Sequence, residues 1–306
     1  MTVCTASIFA WNYDLKKEGG DWGFAIAAAA DRMLTDVGLG IEYEGSRWKG
    51  VGLGNKQVVL VAGDMAVHSE ILRRLNQDLQ TNPLESTHDT AERVAKLFRE
   101  YRAEEAARQY LAPLSLDNVT FVEGQKLMDT ALVRELAREM QNYSLQTEAI
   151  VLGVDRKDVA SLYRVDQNGI VSNHSDTGFV SIGEGGIHSS AYFMLTPYTH
   201  TSGYYQALYH TFKAKKRAEV APGVGAHTDM FLINAINAVT VDRPVIEGLE
   251  KLHADDIARA KKRPDQAGKQ LFKLHNTIFP QQSSGTPPSG PTAPRPQSPR
   301  PTRGGQ

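Results

Sequence analysis

The order of segments along this chain predicts an α+β fold: two antiparallel sheets packed face to face and flanked by layers of helix. Three observations carry that expectation. Runs rich in β-branched and apolar residues, separated by turn signals, occupy residues 2–63 and return over 149–182. Apolar residues at helical spacing fill residues 65–141 and 186–218. The blocks follow one another as strands, helices, strands and helices, which is not the alternating βαβ order of a parallel sheet.

Taken in order, Val3 to Phe9 is a β-rich run, followed by a polar loop from Asn12 to Asp21 and a second apolar run from Trp22 to Ala30. The pair reads as a hairpin with a long tip. A third segment near Leu34 to Tyr43 leads through Gly45 to Trp48 and Lys49. Gly50-Val51-Gly52-Leu53-Gly54-Asn55 reads as a hairpin; no strand–loop–helix follows it, as a phosphate-binding loop would require. Val58 to Ala62 is short, continuous and apolar, the signature of a strand buried on both faces.

Helical spacing then takes over. Val67, Ile71, Leu72 and Leu75 mark a helix from Met65 to Leu79, and Ala91, Val94, Ala95, Phe98 and Tyr101 mark another from Thr87 to Arg108. Past a break at Leu111-Ala112-Pro113, Val119 to Val122 reads as a short β-like piece, and Asp129 to Gln141 as a third helix. Strands return at Ala149 to Gly153 and Ala160 to Val165, with a hairpin signal at Asn168-Gly169 before Ile170 to Ser172, and again at Phe179 to Ile182. Helices are expected over Gly186 to Leu195, Thr201 to Ala218 and Pro244 to Lys262, and a late strand at Met230 to Ile233. Lys213 to Arg217 reads as a solvated helix face. Beyond Pro280 the chain is Pro, Ser, Thr, Gly, Gln and Arg apart from Ala293, a composition expected to stay disordered.

Composition narrows the function. The 306 residues carry a formal net charge of −1, so no whole-chain charge favours nucleic acid or a membrane surface. No apolar run approaches the roughly 18–20 residues of a membrane span. The single cysteine, Cys4, rules out an internal disulfide and a Cys-rich metal site, and the nine histidines have no paired ligand spacing. Neither a cofactor nor a metal is expected. The start lacks a basic signal-peptide region, and the expectation is a cytoplasmic protein.

Thr2 stands directly behind Met1, and a small residue there favours methionine removal. The new first residue would carry a hydroxyl nucleophile and, on the same residue, a free amine able to act as its base. Three further segments give this start its weight. Ala30-Asp31-Arg32 ends the second run, Trp48-Lys49 opens a new block, and Leu60-Val61-Ala62-Gly63-Asp64 ends the buried strand just before a helix. Lys49 and Gly63 are 14 positions apart.

These four features together resemble the proteasome β-subunit family, including its bacterial relative HslV. The segments Ala149 to Val154 with Ser161-Leu162-Tyr163, and Phe179 to Gly186, fit later parts of the same pattern. The resemblance covers roughly residues 2–82 and 148–235. It implies a four-layer αββα sandwich, the N-terminal-nucleophile (Ntn) hydrolase fold, from which the helical insertion at about 84–148 departs in being larger than the family's usual pair of helices, large enough to cap a substrate entrance. Together with periodicity and composition it implies an Ntn-hydrolase domain over 1–243, a helical extension over 244–280 and a Pro-rich tail over 281–306. It also implies catalytic Thr2, Asp31 and Lys49, an oxyanion hole at the Gly63 N–H, a peptide or unfolded-protein substrate, a homo-oligomeric ring and an ATP-dependent unfoldase partner.

The chemistry fits those positions. An α-amine with a reference pKa of about 7.7–8.0 can accept the threonine proton near neutrality. Lys49 would favour the developing alkoxide, Asp31 would aim Lys49, and a backbone donor at Gly63 would stabilise the oxyanion. The chain also departs from the family. The first hairpin is long, and Glu184 stands where active members carry a serine, as a supporting residue or as the mark of a degenerate site. The late Asp-x-x-Ser-Gly pattern is not visible, with Glu219 and Asp229 the nearest substitutes. Two alternatives therefore stay open: a catalytically inactive relative acting in assembly or recognition, and a small-molecule amidase of the wider Ntn class.

Overall fold

The computed structural model describes residues 2–12, 20–36, 41–45, 49–54, 56–82 and 86–278. Trp48, Asn55, most of the first hairpin's tip and the Pro-rich tail lie outside the described residues. The chain divides into a compact unit over Met1–His253 and a second over Ala254–Gln306.

Two five-stranded antiparallel sheets form the first unit. One contains β1 (Cys4–Asn12), β2 (Trp22–Ala30), β10 (Phe179–Ile182), β11 (Asp229–Ile233) and β12 (Ala238–Thr240), in the order β10-β1-β2-β11-β12. The other contains β5 (Gly50–Leu53), β6 (Gln57–Gly63), β7 (Thr147–Arg156), β8 (Val159–Val165) and β9 (Val171–Asn173), in sequence order. A separate hairpin, β3 (Met33–Asp36) with β4 (Ile41–Glu44), leaves the end of β2. The sequence suggests one extended segment there.

Alternation along each strand explains the packing. Cys4, Ala6 and Ile8 of β1, Ile26, Ala28 and Ala30 of β2, and Val58, Leu60 and Ala62 of β6 all enter one core between the sheets. The intervening Val59 and Val61 point the other way, onto α1 (Met65–Thr81) and α2 (Thr87–Tyr110). Each fully buried valine or leucine stabilises the fold by about 1.5–3 kcal/mol. On the first sheet's outer face, Ala29 packs with Leu208 and Phe212, and Ala25 and Ala27 with Ala207, of α6 (Tyr204–Ala218). Alanine is a poor strand former in isolation. In β2, buried on both faces, its small side chain fits the space between the opposite sheet and the helix. With α5 (Gly186–Leu195) beside α6, the layers are helix, sheet, sheet, helix, as expected.

Three further elements differ from the sequence reading. Val119 to Val122 lies within a helix, α3 (Asn118–Gly124). There Asp117 caps the Thr120 amide while the Thr120 hydroxyl accepts from the Asp117 amide. This capping box outweighs the β-branched residues, of which Val119 and Val122 are exposed. With α4 (Thr130–Asn142), α3 closes a small core of Leu111, Phe121 and Leu136 within the insertion. Strand β12 is an addition to the expected set. The last helix, α7 (Arg243–Ile278), is longer than expected, and the boundary between the two units falls within it. Among the described residues no helix is long and apolar enough to cross a membrane.

Candidate active site

Thr2 precedes β1, Asp31 follows β2 and Lys49 precedes β5, so three strand ends converge at one end of the sandwich. Pairing of Cys4 with Ala30 sets Asp31 beside Thr2, and the Asp31 amide donates to Val3 O at 3.2 Å. The Lys49 carbonyl accepts from the Val61 amide at 3.2 Å, tying Lys49 to β6.

The three side chains form one hydrogen-bonded cluster. Thr2 Oγ1 donates to Asp31 Oδ1 and accepts from Lys49 Nζ. Lys49 Nζ also donates to Asp31 Oδ1 at 2.6 Å, and the Val3 amide donates to the same oxygen at 3.2 Å. Asp31 Oδ2 accepts from the Gly225 amide at 2.8 Å. Thr2, Asp31 and Lys49 are 1%, 0% and 3% exposed. Burying such charges is unfavourable unless they are paired and their hydrogen-bonding capacity is used, as it is here.

Gly63 ends β6 beside this cluster. Cys4 Sγ contacts Val61 O at 3.7 Å, and a side chain added at Gly183 would meet both the Thr2 carbonyl and Ala62 Cβ. Gly63 itself has φ +134°, and a Cβ there would lie 2.2 Å from the Gln146 carbonyl, so only glycine fits. No hydrogen bond joins Gly63 to Thr2, Asp31 or Lys49. The turn around Glu184 wraps the first residues: the Gly185 amide donates to Thr2 O at 3.3 Å, and the Gly183 amide to Glu148 Oε2 at 3.3 Å. The Glu184 side chain points outward, exposed, and makes no hydrogen bond or ion pair with the described residues.

Neighbouring titratable groups respond to the burial. Burial pushes the Cys4 thiol up to about 12, against a smaller opposing effect of Lys49, which leaves a neutral thiol and no nucleophile. His68, in the first turn of α1, is pushed down to about 4 by burial and, secondarily, by the Lys49 charge. Its Nε2 is buried without a hydrogen-bond partner among the described residues.

The substitutes considered for the missing late motif are engaged elsewhere. Asp229 takes a two-pronged hydrogen bond from Arg32, at 2.8 Å from Nε and 2.6 Å from Nη2. Glu219 accepts from Lys215 at 2.6 Å and from Lys216 at 2.7 Å.

Lys215 overturns the reading of residues 213–217 as a solvated face: its side chain is 0% exposed. Burial pushes its ammonium down to about 8, with the Glu219 charge acting the other way. A signal for this was present, since Lys215 stands seven, four and three positions after Leu208, Thr211 and Phe212, on the buried stripe of α6. Its Nζ donates to Gly225 O at 2.7 Å, and Gly225 is the residue whose amide holds Asp31.

No family model matches the chain, and no relative is found for it among the curated proteins. Among solved structures the chain is similar to a Gly-1 mutant of Anbu from Hyphomicrobium sp. strain MC1. The TM-score is 0.55 and the identity 16%, over 86% of this chain and 97% of that one. At this identity the likeness shows a shared fold, the four-layer αββα sandwich of two antiparallel sheets flanked by helices.

Proposed function

We propose that the chain is an N-terminal threonine hydrolase of peptide bonds, with Thr2 as the nucleophile once Met1 has been removed. One observation carries the reading: the Thr2 hydroxyl sits between a buried ammonium and a buried carboxylate, bonded to both Lys49 and Asp31. The freed α-amine would take the Thr2 Oγ1 proton as the oxygen attacks a substrate carbonyl. Lys49 would stabilise the alkoxide and Asp31 would hold Lys49 in place. The Gly63 amide would meet the tetrahedral oxyanion, a contribution of about 3–4 kcal/mol for a donor of this kind. Collapse of the intermediate would pass the proton to the leaving amine and leave an acyl ester on Thr2. Water would then hydrolyse that ester and regenerate the hydroxyl.

Intact mass and covalent labelling test this together. The purified protein should lack Met1, and a peptide vinyl sulfone should add once per chain, at Thr2. Thr2→Ala should abolish addition, and Lys49→Ala should slow it by about 10²–10⁴-fold. Stoichiometric retention of Met1, or addition that survives Thr2→Ala, removes Thr2 as the nucleophile.

One observation favours the second reading, a catalytically inactive relative: Glu184 occupies the position of a serine that supports active members, yet its carboxylate makes no hydrogen bond to the site. A processed chain that no threonine-directed electrophile labels would select this reading.

A further inference from the structure

Lys215 is a buried cation that the chemistry proposed for Thr2 does not use. It lies on an apolar stripe where leucine or methionine would fill the space without burying a charge. All that it holds leads toward the active site. The turn after α6 is anchored at one end by Glu219, which Lys215 contacts at 2.6 Å, and at the other by the Gly225 carbonyl at 2.7 Å. Gly225 is therefore gripped from both sides, its carbonyl on Lys215 and its amide on Asp31 Oδ2. It also fits closely against β3 and β4: an added Cβ would lie 3.3 Å from both Met33 Cβ and Glu44 Oε1. The more exposed Lys216 provides a looser tether to the next carbonyl, Ala226 O, at 3.3 Å.

We propose that Lys215 is a positioning residue for the Thr2 site, its buried ammonium clamping the 219–225 turn so that the Gly225 amide stays on Asp31 and fixes the carboxylate that aims Lys49. The catalytic consequence rests on the hydrolase reading above, whereas the clamp itself does not. Without the clamp, Asp31 Oδ2 loses a preset donor and the carboxylate is free to rotate away from Thr2 and Lys49. An error of about 1 Å in such a constellation can cost on the order of 100-fold in rate.

Lys215→Met in the full chain tests this, because it fills the same space without charge or donor. Labelling by the peptide vinyl sulfone should slow by about 100-fold in its maximal rate, with the half-saturating concentration unchanged. Hydrogen exchange at the Gly225 amide should speed up by about tenfold or more while β1 and β6 keep their protection. Lys215→Gln keeps an N–H donor and removes only the charge, so it serves if the Met variant does not fold; a smaller slowing of the same kind is expected. Lys216→Ala should change labelling by less than about threefold, as expected for a half-buried tether that leaves the Lys215 grip on Gly225 intact. Labelling of Lys215→Met at the wild-type rate, a loss confined to half-saturation, or unchanged Gly225 exchange would each overturn the proposal. If the wild-type chain is not labelled at all, the hydrolase reading falls. The exchange result then decides alone: faster exchange at Gly225 upholds the clamp and unchanged exchange removes it.

Discussion

Beside Thr2, Asp31 and Lys49 stand at the ends of hydrogen-bonded strands, and the sheet ladders set their positions. Behind Asp31, Gly225 sits instead in an irregular turn that depends on the Lys215 ammonium and its Glu219 partner. The two walls therefore fail differently. A substitution on the strand wall removes a charged group from a frame that stays in place. A substitution on the turn wall leaves the reacting groups present and removes what aligns them.

The largest expected effect lies on the strand wall. Asp31→Ala leaves the Lys49 ammonium 3% exposed with no carboxylate partner and deprives the Val3 and Gly225 amides of their acceptor. Removing one partner of a buried pair costs about 3–5 kcal/mol. Urea denaturation should show a loss of that size, and a smaller one for Asp31→Asn, which keeps an acceptor oxygen. A loss below about 1 kcal/mol for Asp31→Ala would mean that the pair is well solvated and that the contrast between the walls is wrong.

The next effect depends on pH and reports on the same wall. His68 has a folded pKa of about 4 against an ordinary 6.5. The unfolded chain therefore binds the proton more readily over that interval. Stability contributed by the neutral ring is complete above about pH 6.5 and is lost as pH falls toward 4, by a total on the order of 3 kcal/mol. His68→Gln should flatten the acid limb of a stability–pH curve by that amount. In an NMR titration, Lys49→Met should raise the His68 pKa only part of the way, because burial is the leading cause and the Lys49 charge the lesser one. An unchanged His68 pKa would place the ring outside the reach of Lys49.

The contrast between the walls also explains what the sequence disclosed. Asp31, Lys49 and Gly63 stood out through the family resemblance, which their places at the edges of plainly periodic runs made visible. Two antiparallel sheets then bring Thr2, Asp31 and Lys49 together without further information. The αββα layering was legible because Val58 to Ala62 is apolar at every position and must be covered on both faces. Lys215 was not, because a lysine among Lys213, Lys216 and Arg217 suggests solvent unless it is counted on the stripe of Leu208 and Phe212. Gly225 has no side chain to announce its amide. Glu184 shows the limit of motif position, since the turn that carries it wraps Thr2 while its own carboxylate faces outward. Val119 to Val122 resembles a strand in composition, yet three local residues, Asp117, Asn118 and Thr120, open a helix that β-propensity alone does not foresee.

The smallest effect tests whether adjacency to the site matters apart from direction. Arg32 follows Asp31 in sequence but turns away to Asp229, joining the end of β2 to the start of β11 through a two-pronged, partly exposed ion pair. Such a pair is worth more than a single surface contact, but solvent screens it because Arg32 is 26% exposed. Arg32→Ala should cost about 1 kcal/mol of stability in urea denaturation. It should leave vinyl sulfone labelling within about twofold of the wild type, since neither Asp31 nor Gly225 depends on it for a hydrogen bond. A loss of labelling much larger than that would show that the β2–β11 seam transmits strain into the Thr2 cluster. The strand wall would then be no more self-supporting than the turn behind it.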